Sequence, residues 1–160
     1  IALSGERLAR ARSALAREFG PPVEQSDTIP FDYTDYYEPE FGPGLTRCWA
    51  GFAGTFDPAE LAATKLRTNQ LERELAGPDG RRTANLDPGA LTLNNLVLAS
   101  TKDHAHRVYL GSGIFAELTL VYESGAFRPL PWTYPDYRTE TCPDFLARCR
   151  ARLVTAARGS

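Results

Sequence analysis

This 160-residue sequence has no methionine and no long apolar run, and it has only two lysines. No apolar run reaches 18 residues, so we expect no membrane-spanning helix. A formal net charge of −2 provides no basic excess, and nucleic acid is therefore not an expected partner. The three cysteines form no CxxC pair, which favours isolated thiols in a reducing cytoplasm and argues against a metal site.

The absence of methionine indicates how the chain begins, and the scarcity of lysine singles out two basic side chains. With no initiator methionine and three apolar residues before a helix start, we expect the chain to continue before Ile1 with the rest of a first strand. Only Lys65 and Lys102 among the 18 basic residues are lysine. Either chance or the need for a flexible primary ammonium explains their retention.

What the sequence contains is typical of a single folded domain over residues 1–160. Its residues are 42% hydrophobic and 24% charged, which argues against disorder. The signatures of phosphate-binding loops, dinucleotide-binding folds, zinc proteases and serine hydrolases are all missing from the sequence. Composition alone therefore defines a mixed α and β domain without defining a reaction.

The first half predicts the order strand, helix, strand, strand, helix, strand. Its predicted elements are a helix at 4–20 capped by Ser4, strands at 23–31 and 45–56, a helix from Asp57 to about Ala76 and a strand at 82–86. A loop at 32–44 and a turn at 77–80 connect them. With its first strand truncated, this half has the βαββαβ order of the ferredoxin-like fold.

The second half predicts a helix at 91–100, an antiparallel β-meander and a C-terminal helix starting near Pro143, so the predicted fold class is α+β. Turn residues set the register of the meander, with Leu110 opposite Ile114, Arg107 opposite Glu117, Val108 opposite Ala116 and Tyr122 opposite Phe127. Prolines confine its third strand to an edge. Alternation predicts one inward face made of His106, Val108, Leu110, Ile114, Ala116, Leu118 and Leu120.

Four polar clusters are candidates for chemistry. The loop 31–41 is rich in aromatics and carboxylates, and it suits either a cation site or a surface turn that covers a sheet edge. On the second helix, Lys65 and Glu72 lie beside the buried stripe, where they either line a cleft or form a structural ion pair. The segment 100–109 holds both histidines, and 131–137 either walls a pocket or clasps the last helix.

Six stretches of the chain resemble, in the same order, the bacterial family named domain of unknown function 4416. They are PFDYTDYY at 30–37, KLRTN at 65–69, NLDPG at 85–89, LASTKD at 98–103, HRVYLG at 106–111 and PWTYPDY at 131–137. The resemblance covers nearly the whole chain and implies a small stand-alone bacterial protein with a strand before the position of Ile1. It implies no established reaction, but its stretches coincide with the four clusters.

Two functions are consistent with these clusters. In the first, the protein binds or acts on a small anionic or nucleotide-like ligand in a cleft lined by Lys102, His106 and Arg107. Lys102 and Arg107 hold the anion there, and His106 moves a proton as the candidate catalytic residue. In the alternative, the protein is a non-catalytic binding or protein-interaction module that uses the loop 31–41. Enzyme activity, cofactor and oligomeric state are left open.

Five further residues are predicted to bind the ligand: Asp32, Tyr36, Lys65, Trp132 and Asp136. No single segment offers a complete set of groups for chemistry on an anion, which needs an electrostatic clamp, a proton carrier and an orienting carboxylate. We therefore expect Asp32, Lys65, His106 and Asp136 to converge on one cleft.

Overall fold

The computed structural model describes residues 1–2, 5–34, 37–54 and 56–158. These residues form α-helices and antiparallel β-sheets, so the fold class is α+β as predicted. The chain divides into two compact units, an N-terminal unit of 1–54 with 66–86 and a C-terminal unit of 55–65 with 87–160. Whether these units act as one domain stays a prediction. Within the described ranges, no helix has both the length and the apolar composition needed to cross a bilayer.

The first helix of the N-terminal unit, α1, spans Gly5–Phe19 and confirms the predicted helix. It ends at Gly20, whose φ of +83° is the left-handed conformation that commonly terminates helices. The proposed cap Ser4 lies outside the described residues. The apolar stripe of α1 packs in the larger core of this unit, made of Ala2, Leu8, Ala11, Ala14, Leu71, Leu75, Ala84 and Leu86.

The two long strands predicted for this unit are each broken in two. The observed strands are β1 (Pro22–Gln25), β2 (Ile29–Pro30), β3 (Thr46–Arg47) and β4 (Ala50–Phe52), and β1 pairs with β4 and β2 with β3, both antiparallel. Ser26 accounts for the break, because its Oγ accepts the N–H of Trp49 at 2.9 Å in place of a regular ladder partner. The short helix α2 (Glu38–Phe41) lies in the predicted loop.

The predicted strand at 82–86 is also wrong in extent. Its residue Ala84 forms an isolated antiparallel bridge with Ala2, which forms another with Thr46. A turn precedes it as predicted, with the N–H of Gly80 donating to the carbonyl of Gly77 at 2.9 Å.

The second long helix confirms its predicted start. Asp57 accepts a hydrogen bond from the N–H of Ala59 at 2.9 Å and caps a 3₁₀ turn at Pro58–Glu60. Helix α3 (Leu61–Glu74) follows directly. Its first residues belong to the C-terminal unit and the rest to the N-terminal unit.

The C-terminal unit is built on one five-stranded antiparallel sheet. Its strands are β5 (Gly89–Leu91), β6 (Asn95–Ser100), β7 (Arg107–Gly111), β8 (Ile114–Glu123) and β9 (Ala126–Pro129). The order is β5-β6-β8-β7, and β9 also pairs with β8. Strand β7 pairs with residues 114–117 of β8, and β9 pairs with residues 120–123. Helix α4 (Thr141–Arg158) closes the chain near the predicted place.

The helix predicted at 91–100 is wrong, because these residues form the β5–β6 hairpin. Thr92 makes the turn, its Oγ1 accepting the N–H groups of Asn94 and Asn95, both at 3.0 Å. An apolar run of this length fits a buried strand as well as a buried helix, and the Thr and Asn residues supply turn chemistry that ends the first strand. Leu96 and Leu98, which belong to β6, are buried.

The predicted register of the meander is confirmed at three pairs, Arg107 with Glu117, Val108 with Ala116 and Tyr122 with Phe127. The predicted pairing of Leu110 with Ile114 is wrong, since Gly111 pairs with Ile114 instead. Leu110 is an extra residue in β7, and Gly111 follows it with a φ of +107°, which glycine adopts without strain.

The inward face predicted for this hairpin is largely wrong. Val108 and Leu118 are exposed, whereas Glu117 and Thr119 are buried. One cause is Thr119, an extra residue of β8 relative to β6, which shifts the alternation of the strand. The other is that Glu117 finds polar partners inside the unit. Ile114 and Leu120 are the predicted inward residues that are fully buried.

Truncation of a buried residue of this sheet tests the observed faces. Ile114 packs with Leu61, Ala90 and Ala99, so we expect Ile114→Ala to lower the free energy of unfolding by about 3 kcal/mol. Val108→Ala, at an exposed position of the neighbouring strand, is expected to cost less than about 1 kcal/mol. Urea unfolding followed by circular dichroism measures both values, and equal losses would contradict the assigned faces.

Candidate functional site

The centre of the candidate site is Glu117, a carboxylate that is 1% exposed on β8. Its Oε2 accepts a hydrogen bond from Nε of Arg107 at 2.7 Å and lies 3.0 Å from Nε2 of His106. Its Oε1 accepts a weaker bond from the hydroxyl of Thr119 at 3.3 Å. A buried carboxylate is tolerated only when it is paired and hydrogen-bonded in this way.

Arg107 neutralises Glu117 and is itself buried, with a side chain that is 2% exposed. Its Nη1 donates to Oγ of Ser100 at 2.8 Å and to the carbonyl of Lys102 at 2.9 Å, and its Nη2 donates to Oη of Tyr134 at 2.8 Å. Every nitrogen of the guanidinium thus contacts a group of the protein. In this geometry Arg107 fixes Glu117, so its contribution to a ligand is indirect.

His106 is the member of this cluster that reaches the surface, with 26% of its side chain exposed. Its ring stacks on Trp132, with centroids 5.0 Å apart, and on His104, at 5.8 Å. We call His104, His106 and Trp132 the ring stack. If Nε2 of His106 carries the proton shared with the Glu117 carboxylate, the lone pair of the neutral ring lies on Nδ1.

The segment around Trp132 fills the gap between β7 and β9, which pair with different parts of the same side of β8. Nε1 of Trp132 donates to the carbonyl of Leu118 at 2.8 Å, and Oγ1 of Thr133 donates to that of Thr119 at 2.5 Å. These are the backbone positions that neither β7 nor β9 pairs with. The segment therefore holds Trp132 in the stack by hydrogen bonds to the sheet.

The structure thus brings four of the predicted site residues together around Glu117. His106 and Arg107 contact its carboxylate, Trp132 stacks on His106, and Lys102 contributes its carbonyl to Arg107. The side chain of Lys102 is exposed.

The remaining predicted residues differ in burial. Lys65 is buried, with Nζ 3.0 Å from Oδ1 of Asp87, and Asp136 is buried in a 3₁₀ turn. Asp32 is exposed in the N-terminal unit, and Tyr36 lies outside the described residues. The convergence of Asp32, Lys65, His106 and Asp136 on one cleft stays a prediction. Within the part that the structure describes, no three His, Cys, Asp or Glu side chains are grouped to hold a metal ion.

Most of the described aromatics of the loop 31–41 pack inside the N-terminal unit. Phe31, Tyr37 and Phe41 make edge-to-face contacts with centroids 5.8 and 5.9 Å apart, and Phe31 and Phe41 are buried with Leu45. Tyr33 is exposed. These aromatics form a second small core rather than a continuous outer surface.

Sequence reasoning singled out Glu72 but missed its partners in a second charged cluster, in the N-terminal unit. Arg82 donates to both carboxylate oxygens of Glu40, at 2.6 and 2.5 Å, and to buried Glu72 at 3.0 Å. Its guanidinium lies over the ring of Phe41, 5.4 Å from the centroid. Arg82 and Glu40 line a cavity of about 530 Å³. The signal available in the sequence was the Arg81–Arg82 pair directly after the 77–80 turn.

Comparison with known proteins identifies the family. The family model described as Domain of unknown function (DUF4416) matches residues 2–153, and the chain belongs to this family. The resemblance seen in the six stretches is thereby confirmed. No curated protein and no solved structure matches the chain.

Removing the charge of Glu117 tests the core of the site. Glu117→Gln keeps the shape of the side chain but leaves the guanidinium of Arg107 buried without a counter-ion. We expect a loss of about 3 kcal/mol in the free energy of unfolding. Glu123→Gln, at an exposed position of the same strand, is expected to change it by less than about 0.5 kcal/mol. Urea unfolding at neutral pH measures the free energy of unfolding of both variants. Similar small losses in the two would contradict the buried pair of Arg107 and Glu117.

The Arg82 cluster predicts a pH dependence. Hydrogen bonds from Arg82 hold the pKa of the Glu40 carboxyl below its ordinary value. A lowered pKa in the folded state stabilises the protein above the ordinary carboxyl pKa, and this contribution is lost as the pH falls through the lowered value. Because the pair is partly exposed, we expect Glu40→Gln to cost only about 1 kcal/mol at pH 7.

Thermal unfolding between pH 7 and pH 3 measures this effect. The difference between wild type and Glu40→Gln is expected to shrink below about pH 4. Glu60→Gln, which removes an exposed carboxylate, is the control and is expected to show no such difference. A Glu40→Gln deficit that grows on acidification would show that the sign is wrong.

Proposed function

We propose that this protein binds a small anionic ligand beside the ring stack and that His106 exchanges a proton with it. One observation supports this above all. A partly exposed imidazole is held through Nε2 by a carboxylate that is buried and charge-paired. This is the arrangement by which a carboxylate orients a histidine for acid–base chemistry.

Each residue around His106 contributes to such acid–base chemistry. Glu117 fixes the ring orientation of His106 and favours the tautomer with its lone pair on Nδ1. Arg107 pairs with Glu117 and restricts its rotation through charge-assisted hydrogen bonds. The stacking of His106 on Trp132 restricts the ring further. A proton carrier fixed in this way needs little reorganisation when a ligand arrives.

The charge preferred in the ligand follows from the exposed side chains. Arg107 and Glu117 neutralise each other, and Lys102 adds an exposed cation nearby in the chain. Asp103 is exposed beside it and offsets part of this charge. The ligand therefore needs a direct contact with the ammonium of Lys102, and a small phosphate, nucleotide or carboxylate suits this requirement.

Three broader proposals accompany this one. We infer a bacterial protein from the family resemblance. We infer a cytoplasmic one because Cys48, Cys142 and Cys149 form no disulfide in the part of the chain that the structure describes. We also keep the ferredoxin-like order as a proposal for the first half. The bridges that join Ala2 to Thr46 and to Ala84 support it, since they lie where a first strand is expected.

The alternative, an interaction module using the loop 31–41, has less support. Its described aromatics contact one another in a small core, and Tyr33 alone among them is largely exposed. A binding surface of several stacked aromatics is therefore not formed by the residues described there.

A thermal-shift screen tests the proposed function. The full chain is heated with inorganic phosphate, pyrophosphate, nucleotides or small carboxylates, each with and without magnesium. At 100 times its dissociation constant, a ligand is expected to stabilise the folded state by about 2.7 kcal/mol, which raises the melting temperature by several degrees. If none of these anions raises it, the proposal is wrong.

Variants locate the site of any such ligand. We expect Lys102→Gln to weaken binding about tenfold, the loss of one charged contact, and His106→Asn to weaken it similarly. Arg128→Gln removes an exposed cation from β9 and is expected to leave the affinity unchanged. Isothermal titration calorimetry measures the three affinities. Equal weakening by Lys102→Gln and Arg128→Gln would indicate general charge screening and contradict a specific site.

A further inference from the structure

One face of the C-terminal sheet carries exposed apolar side chains beside the ring stack. Val108 pairs with Ala116, and Leu118 lies two residues further along β8, so these three side chains project from the same face. Val108 is 68% exposed and Leu118 is 36% exposed, whereas Ile114, in the same row of β8, packs against Leu61 and is buried. The apolar surface of this face therefore continues beyond the part that packs inside the unit.

Trp132 extends this surface to His106. Its Nε1 donates to the carbonyl of Leu118 at 2.8 Å, and its ring stacks on that of His106 with centroids 5.0 Å apart. Trp132 is 37% exposed, and because its N–H is bonded to the sheet, it offers a ligand its apolar ring rather than a donor. We call Val108, Leu118 and Trp132 the apolar platform.

We propose that the anionic ligand of His106 carries an apolar group, either a ring or a short alkyl chain, which lies on the apolar platform. This inference rests on the proposed function, because it concerns the ligand of that same site. It narrows the ligand from small anions in general to those with an apolar substituent, such as aryl or alkyl phosphates and carboxylates. The platform then sets the specificity, and His106 contacts the anionic end.

The size and the position of the apolar platform both favour a small ligand as its occupant. Three partly exposed side chains offer far less than the ~800 Å² per partner that a stable protein complex buries. They suit a single aromatic ring, which buries about 150–250 Å². Because Trp132 contacts both Leu118 and His106, a ligand that covers the platform has its anionic end at the imidazole. No member of the platform is charged, so an apolar group covers it without desolvating an ion.

Isothermal titration calorimetry with matched pairs of anions tests the proposal on the full chain. The pairs are methyl and phenyl phosphate, and acetate and benzoate, so each pair shares its anionic group and differs in apolar area. We expect the phenyl compound of at least one pair to bind about tenfold more tightly than its methyl counterpart, because the ring leaves water on binding.

Variants place the ring on the platform. Leu118→Thr removes apolar area and is expected to lower the phenyl-to-methyl affinity ratio at least about threefold. Val108→Thr keeps the shape and the strand preference of the side chain, and it is expected to lower the ratio in the same direction. Leu93→Thr, at a leucine of the same unit that is equally exposed, is the control and is expected to keep the ratio of the wild type.

The outcomes separate this inference from the proposed function. If no anion binds the chain at all, both are wrong. If anions bind but neither phenyl compound binds more tightly than its methyl counterpart, the inference is overturned and the anion site stands. A ratio that both Leu118→Thr and Val108→Thr leave unchanged, or that Leu93→Thr lowers equally, would also overturn it, because the ring would then bind elsewhere.

Discussion

The buried ion pair of Arg107 and Glu117 is the interaction on which most of the C-terminal unit depends. Either charge alone inside the unit would be strongly destabilising, so each requires the other and the hydrogen bonds around them. Arg107 donates hydrogen bonds to Ser100 at the end of β6 and to Tyr134 in the segment before α4. Through Glu117 it orients His106. One pair of charges thus links the strands to the surface that we propose as the binding site.

How far the sequence predicts this site depends on how local its determinants are. The turn at 111–113 is local, and the register counted from it placed Arg107 opposite Glu117 correctly, although Gly111 and not Leu110 pairs with Ile114. Whether that pair faces inward depends on contacts of Arg107 with Ser100, 7 residues away, and with Tyr134, 27 residues away. No local pattern reports such contacts, so an apolar alternation that includes Val108 was assigned to the wrong side.

Local sequence patterns also failed to predict two features of the backbone, the extra residue in β8 and the hairpin at 89–100. A single inserted residue, Thr119, changes which side chains face inward, and no neighbouring glycine or proline marks it. The run 91–100 is apolar enough for a helix, and its strand pairing with β8 outweighs that preference. The capped start of α3 was predictable because Asp57 and Pro58 are adjacent in sequence. The contacts of Arg82 with Glu40 and Glu72 in the N-terminal unit were not, because these residues are distant in sequence.

The two lysines of the chain differ in a way that has a practical consequence. Lys65 is enclosed and bound to Asp87, while Lys102 is exposed two residues before His104. Acylating reagents modify the unprotonated, accessible amine, so of these two side chains Lys102 is the one that they reach in the folded protein. A fluorophore or cross-linker can thus be attached beside His104 and His106 without introducing a cysteine.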